Sequence, residues 1–92
     1  MRRAARVDAT QPEIVKALRA IGATVWVIGL PVDLLVGYRG RTTLIEVKTI
    51  EGKRLPKASG YTRLQKDFLL DWLGGPVATV TDAEGAIRAV SL

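Results

Sequence analysis

Two stretches of this chain, Val32 to Tyr38 and Thr42 to Ile50, are apolar or threonine at nearly every position apart from Asp33, Glu46 and Lys48. Strands that alternate apolar and polar residues show water one face; strands with near-continuous apolar character predict a sheet covered on both faces. The polar exceptions therefore need a reason of their own. Arg39-Gly40 separates the two stretches and reads as a tight two-residue connection, so the pair is expected to form a β-hairpin.

The rest of the chain supplies helices and further strands. Thr10-Gln11-Pro12-Glu13 reads as a helix start, with Thr10 as cap, Pro12 in the first turn and Glu13 three residues after the cap. Ile14, Leu18 and Ile21 continue it at helical spacing until Gly22. Thr24 to Leu30 is β-branched and aromatic and reads as a strand that Gly29 and Pro31 interrupt. Residues 51–61 show no period and form a loop. From Thr62 the pattern is helical, with Leu64, Phe68, Leu69, Trp72 and Leu73 as a stripe expected to be buried and Gly74-Gly75 as the stop. Trp26 and Trp72 are assigned to the core rather than to base stacking. Val77 to Thr81 is a further strand. Two readings of the tail stay open: a helix capped by Asp82, which is preferred, or a hairpin turning at Glu84-Gly85, Gly85 being the objection to the helix.

If Arg39-Gly40 closes a two-residue loop, Tyr38 faces Arg41 and the ladder brings Asp33 directly opposite Glu46. Opposed residues in such a ladder have Cβ atoms about 4.5–5.5 Å apart, and two like charges there need a cation between them. Lys48, two residues beyond Glu46, projects from the same face. The chain has no His and no Cys, which excludes imidazole bases, thiol nucleophiles, zinc clusters and disulfides. The chemistry open to Asp33, Glu46 and Lys48 is that of a hard divalent cation, Mg2+ or Mn2+. Such an ion leaves positions for water and a phosphate oxygen, with Lys48 stabilising the developing charge. The alternative is structural: Asp33 and Glu46 as polar residues of an edge strand, neutralised by Lys48.

Fourteen basic residues stand against nine acidic ones, a balance that favours a polyanionic partner. Between Lys48 and Lys66 six residues are basic (Lys48, Lys53, Arg54, Lys57, Arg63, Lys66) against one acid, Glu51. This stretch is the candidate phosphate-facing surface. Arg2, Arg3 and Arg6 belong to a basic segment, residues 1–9, read as a flexible tail adding nonspecific affinity. No run approaches the ~20 apolar residues of a membrane span, and no signal core follows the N-terminal charges. A soluble, cytoplasmic protein of a bacterial or phage-infected cell is expected, with residues 1–92 as one domain.

Gly29-Leu30-Pro31-Val32-Asp33-Leu34-Leu35-Val36, a Gly-containing turn and Leu44-Ile45-Glu46-Val47-Lys48 together resemble the PD-(D/E)xK nuclease superfamily. Within it they are similar to the small phage-type VRR-NUC (virus-type replication-repair nuclease) domains. The resemblance extends over most of the chain, through the Glu-bearing first helix (Glu13) and the Gln-bearing helix after the Lys strand (Gln65). It implies a restriction-endonuclease-like core and metal-dependent cleavage of DNA, with Asp33, Glu46 and the Val47 carbonyl as metal ligands. It further implies Lys48 as the catalytic lysine and Glu13 and Gln65 as supporting site residues, Glu13 near the metal. One departure is visible: Val32 stands between Pro31 and Asp33, where the family has Pro immediately before Asp.

Glu13 and Gln65 also have local reasons to exist, as the fourth residues of capping boxes begun by Thr10 and Thr62. Gln65 in addition sits three, four and seven residues before Phe68, Leu69 and Trp72, beside the apolar stripe.

The fold expected is α/β: a mixed sheet of about four strands flanked by helices, its central hairpin carrying the site. The function expected is a Mg2+- or Mn2+-dependent deoxyribonuclease, acting on DNA junctions or flaps, as a homodimer and without an organic cofactor. The alternatives are a catalytically inactive nucleic-acid-binding module of the same fold, and an interaction protein whose basic surface meets an acidic protein.

Overall fold

The computed structural model describes residues 3–49 and 61–92, with side chains from Thr10 onward. Seven elements follow one another among the described residues: α1 (Arg3–Ala20), β1 (Thr24–Val27), β2 (Leu34–Tyr38), β3 (Arg41–Val47), α2 (Arg63–Asp71), β4 (Val77–Val80) and α3 (Ala83–Ser91). The strands form one mixed sheet in the order β1-β2-β3-β4, antiparallel except for the parallel β3–β4 pair. A parallel pair needs a crossover, and the chain between Val47 and Val77, which contains α2, provides it. This is the small α/β domain expected. None of the described helices is long and apolar enough to cross a membrane.

The hairpin forms as read. Arg39 (φ 53°) and Gly40 (φ 80°) both take the left-handed conformation that a two-residue turn between twisted strands requires. Tyr38 accordingly pairs with Arg41, and the ladder runs back to Leu34 opposite Ile45. The Arg39 guanidinium lies 5.1 Å from the Tyr38 ring centroid, which offsets part of the strain of a side chain at positive φ.

Among the described residues the main core lies on one side of the sheet. Ile14 and Leu18 of α1, Ala86 and Val90 of α3, and Val25, Leu34, Val36, Ile45 and Val80 of the strands bury their side chains together. On the opposite side the cross-sheet row Trp26, Leu35, Leu44 runs from the β1 edge inward. Leu44 is buried but Trp26 is 66% exposed. Coverage of both faces, expected from the apolar strands, is thus corrected: near β1 the second face is open.

Helix α2 differs in the same sense. Its buried residue is Gln65, while Leu64, Leu69 and Leu70 are exposed and Leu73, just beyond it, is 96% exposed. The stripe is real as a pattern but does not meet the core. Trp72, also assigned to the core, is instead exposed, its ring against Phe68 at 5.2 Å and its Nε1–H donating to the Gly75 carbonyl at 2.7 Å. A Cβ at Gly74 would run into that ring and one at Gly75 into the Thr42 carbonyl oxygen, which accounts for the glycine pair after α2.

Several boundaries move. Asp33 and Lys48, expected inside strands, instead stand just before β2 (Leu34–Tyr38) and just after β3 (Arg41–Val47). Helix α1 begins at Arg3, so Thr10 is not its cap, Pro12 lies inside it, and the segment read as a tail contributes its first turns. Ala4, Ala5 and Arg6 are strong helix formers, and they outweigh a proline whose missing N–H removes one bond of the ladder. Strand β1 stops at Val27 because Gly29 (φ 81°) and Pro31 turn the chain. The tail resolves to a helix: Asp82 accepts from Gly85 N–H at 2.8 Å, so Gly85 serves as the donor to the cap rather than as a hairpin corner.

Candidate active site

Asp33 occupies the step just before β2, held by its backbone. The N–H groups of Ile28 and Gly29 both donate to its carbonyl, at 2.9 and 3.2 Å, closing the turn that follows β1. Val32, the residue between Pro31 and Asp33, is buried at 2% exposed, outside the cluster formed by α1, α3 and the strands.

The ladder Leu34 to Ile45 extended by one step sets Asp33 across from Glu46, as the hairpin geometry requires. Glu46 pairs in turn with Thr79 on β4. A polar row, Asp33, Glu46, Thr79, thus crosses three elements on the face opposite the core. Asp33 Oδ2 accepts the Val47 N–H at 2.7 Å. In a strand the N–H and C=O of one residue point to the same side, so the Val47 carbonyl is directed towards the Asp33 end of the sheet as well.

Glu46 is 5% exposed. Its Oε2 lies 3.4 Å from Lys48 Nζ, while its Oε1 is buried with no hydrogen-bond partner among the described residues. Buried carboxylate oxygens are almost always satisfied, because leaving one without a donor costs about 1–3 kcal/mol or more. The Lys48 ion pair accounts for one oxygen and not for the other.

Lys48 is fixed at both ends. Its backbone N–H donates to the Val80 carbonyl at 2.9 Å, and its ammonium sits 4.6 Å from the centroid of the Tyr61 ring. The Tyr61 hydroxyl in turn shares a 2.6 Å hydrogen bond with Thr79 Oγ1. Neither Tyr61 nor Thr79 was singled out from the sequence. The signal available was faint: Tyr61 closes an unpatterned loop, and Thr79 is the polar position of an otherwise apolar short strand.

The supporting residues divide. Gln65 is 8% exposed and completes a reciprocal capping box, its Oε1 accepting from Thr62 N–H and its own N–H donating to Thr62 Oγ1, both at 3.1 Å. Its local reason is thus realised, on the helix that begins next to Tyr61. Glu13 is exposed on α1, whose neighbours Ile14 and Leu18 face the core side of the sheet. Among the described residues no three acidic groups gather as a metal cluster, so Glu13 is not brought to Asp33 and Glu46. Arg63 and Lys66 are exposed on α2, Arg63 with its Nε 3.7 Å from Asp67. Lys53, Arg54 and Lys57 lie outside the described residues.

A donor set of two carboxylates and a main-chain carbonyl is all oxygen, the kind that Mg2+ or Mn2+ accepts with waters completing its shell. The orphaned Glu46 Oε1 fits such an ion. No family model, no curated protein and no solved structure matches the chain.

Proposed function

We propose that this chain is a metal-dependent nuclease with a restriction-endonuclease-like core, hydrolysing phosphodiester bonds of DNA at Asp33, Glu46 and Lys48. The observation that carries the reading is Glu46 Oε1, a buried carboxylate oxygen lacking a donor among the described residues, in the row that begins with Asp33 and beside the Lys48 amine. Asp33, Glu46 and the Val47 carbonyl would hold a Mg2+ or Mn2+ ion. Bound there, the ion supplies Lewis acidity to a phosphate oxygen and acidifies a water. Lys48 then orients the attacking water and stabilises the charge that develops on the phosphate, in a pocket whose Glu46 wall is dry enough to strengthen both effects.

Arg63 and Lys66, with Lys53, Arg54 and Lys57, are the proposed backbone contacts to DNA. A chain with net charge +5 supports a polyanionic partner in the cytoplasm. A second copy of the chain is the proposed cover for the exposed leucines of α2.

Cleavage of plasmid and branched DNA in Mg2+ or Mn2+ tests the reading. The unmutated protein should cleave, a chelator should stop it, and Asp33→Asn and Lys48→Met should each abolish cleavage while retaining DNA binding. A second reading, a binding module that cleaves nothing, is favoured by the Val47 N–H on Asp33 Oδ2, which occupies one of that carboxylate's oxygens. DNA binding indifferent to metal, with no cleavage by the unmutated protein, would support the module.

A further inference from the structure

We propose that Tyr61 is the positioning residue of Lys48. Its ring seats the ammonium against Glu46, and its hydroxyl locks that ring to β4. The consequence for catalysis rests on the nuclease reading above, whereas the geometry does not.

A lysine side chain has four rotatable carbons, and an amine that must meet a phosphate oxygen loses rate when it wanders. Here it has two fixed walls. One is Glu46 Oε2 at 3.4 Å, the other the face of Tyr61 with its centroid at 4.6 Å, well inside the range of a cation–π contact. The side chain of Lys48 is only 17% exposed, so water competes weakly for it.

A ring steers an amine only if the ring is itself held, and two independent anchors hold this one. Its hydroxyl bonds Thr79 Oγ1 at 2.6 Å, and Thr79 is the register neighbour of Glu46 on β4. Its backbone runs directly into Thr62, the cap of α2, where the reciprocal Thr62–Gln65 bonds fix the start of the helix. Glu46, Thr79, Tyr61 and Lys48 therefore close a circuit across β3, β4 and the foot of α2. The circuit also gives Gln65 a part in the site: by capping α2 it fixes where Tyr61 stands.

Side-chain NMR of the lysines, combined with steady-state cleavage, tests the assignment. In the unmutated protein the Lys48 ε-methylene protons should resonate upfield of those of exposed Lys16, because they sit in the shielding cone of the ring. Tyr61→Leu should return them to the Lys16 position and lower kcat about tenfold, the weight of a desolvated cation–π contact, with KM within about twofold. Tyr61→Phe should keep most of the upfield shift and most of kcat, since it retains the ring and loses only the tether to Thr79. A Lys48 signal at the Lys16 position in the unmutated protein overturns the proposal. So does a Tyr61→Leu variant that raises KM and leaves kcat alone. If the unmutated protein shows the shifted signal but cleaves no DNA in either metal, the nuclease reading fails and the seating of Lys48 by Tyr61 stands.

Discussion

Replacing Glu46 by Gln separates a cation site from a plain ion pair, because the two accounts diverge when the protein is heated with and without metal. The pair is close, with Lys48 Nζ 3.4 Å from Oε2 and the two side chains 17% and 7% exposed. At an effective dielectric of roughly 20 the gross attraction at that distance is about 5 kcal/mol. Opposing it are the desolvation of both ions, several kcal/mol each, and the about 1–3 kcal/mol of an oxygen left without a donor. Gln keeps the shape and an acceptor for Lys48 while removing the charge. Lys48 also retains the Tyr61 ring and a route to water. The loss in chelator should therefore be about 1–2 kcal/mol, below the 3–5 kcal/mol that follows when a fully buried charge is abandoned.

Metal changes the comparison. An ion bound at a hundred times its dissociation constant stabilises the folded state by about 2.7 kcal/mol, which for a domain of this size is roughly 10–20 °C in Tm. Differential scanning calorimetry in Mn2+ and in chelator should show that shift for the unmutated protein and none for Glu46→Gln. An unmutated protein whose Tm ignores saturating Mn2+ and Mg2+ refutes the argument built on Oε1, and so does an equal shift in both proteins.

Ile45, fully buried on the core side of β3 immediately before Glu46, should cost about 2–5 kcal/mol as Ile45→Ala, read from the urea midpoint. Asp82→Ala removes the acceptor of the Gly85 N–H and should destabilise by about 1 kcal/mol, lowering Tm by roughly 4–8 °C. Leu70→Glu with Leu73→Glu should convert a dimer to a monomer in sedimentation velocity without altering the far-ultraviolet CD spectrum; a protein already monomeric refutes the proposed pairing. Mobility shifts should show DNA affinity falling steeply as salt rises, and a salt-independent complex would point to an acidic protein partner instead.

The hairpin and its register were legible because they depend on backbone arithmetic: a two-residue turn fixes which residues of the two strands stand opposite one another. The cap of α3 was legible for a similar reason, Asp82 being a strong local signal. The start of α1 was not, because Thr10, Pro12 and Glu13 make a convincing local cap while the residues before them carry enough helix propensity to pass through it. Periodicity showed that α2 has an apolar side but not what that side meets. Leu69 and Leu73 look from sequence like core leucines, and only tertiary packing reveals otherwise. Tyr61 and Thr79 escaped notice because their pairing joins residues 18 apart through the β3–β4 crossover, a distance over which no spacing rule operates.

Asp33 lends a side-chain oxygen to a backbone ladder, and that loan gives the residue two duties. Where β2 has run out of main chain to offer Val47, the carboxylate stands in for a missing peptide carbonyl, so the end of β3 is pinned by the same group proposed to hold the ion. Truncation to alanine would thus fray β3 beside Glu46 as well as remove the proposed ligand, and loss of cleavage in that variant would say little about chemistry. Asparagine, whose amide oxygen can still take the Val47 N–H, keeps the strand stitched and isolates the role of the charge.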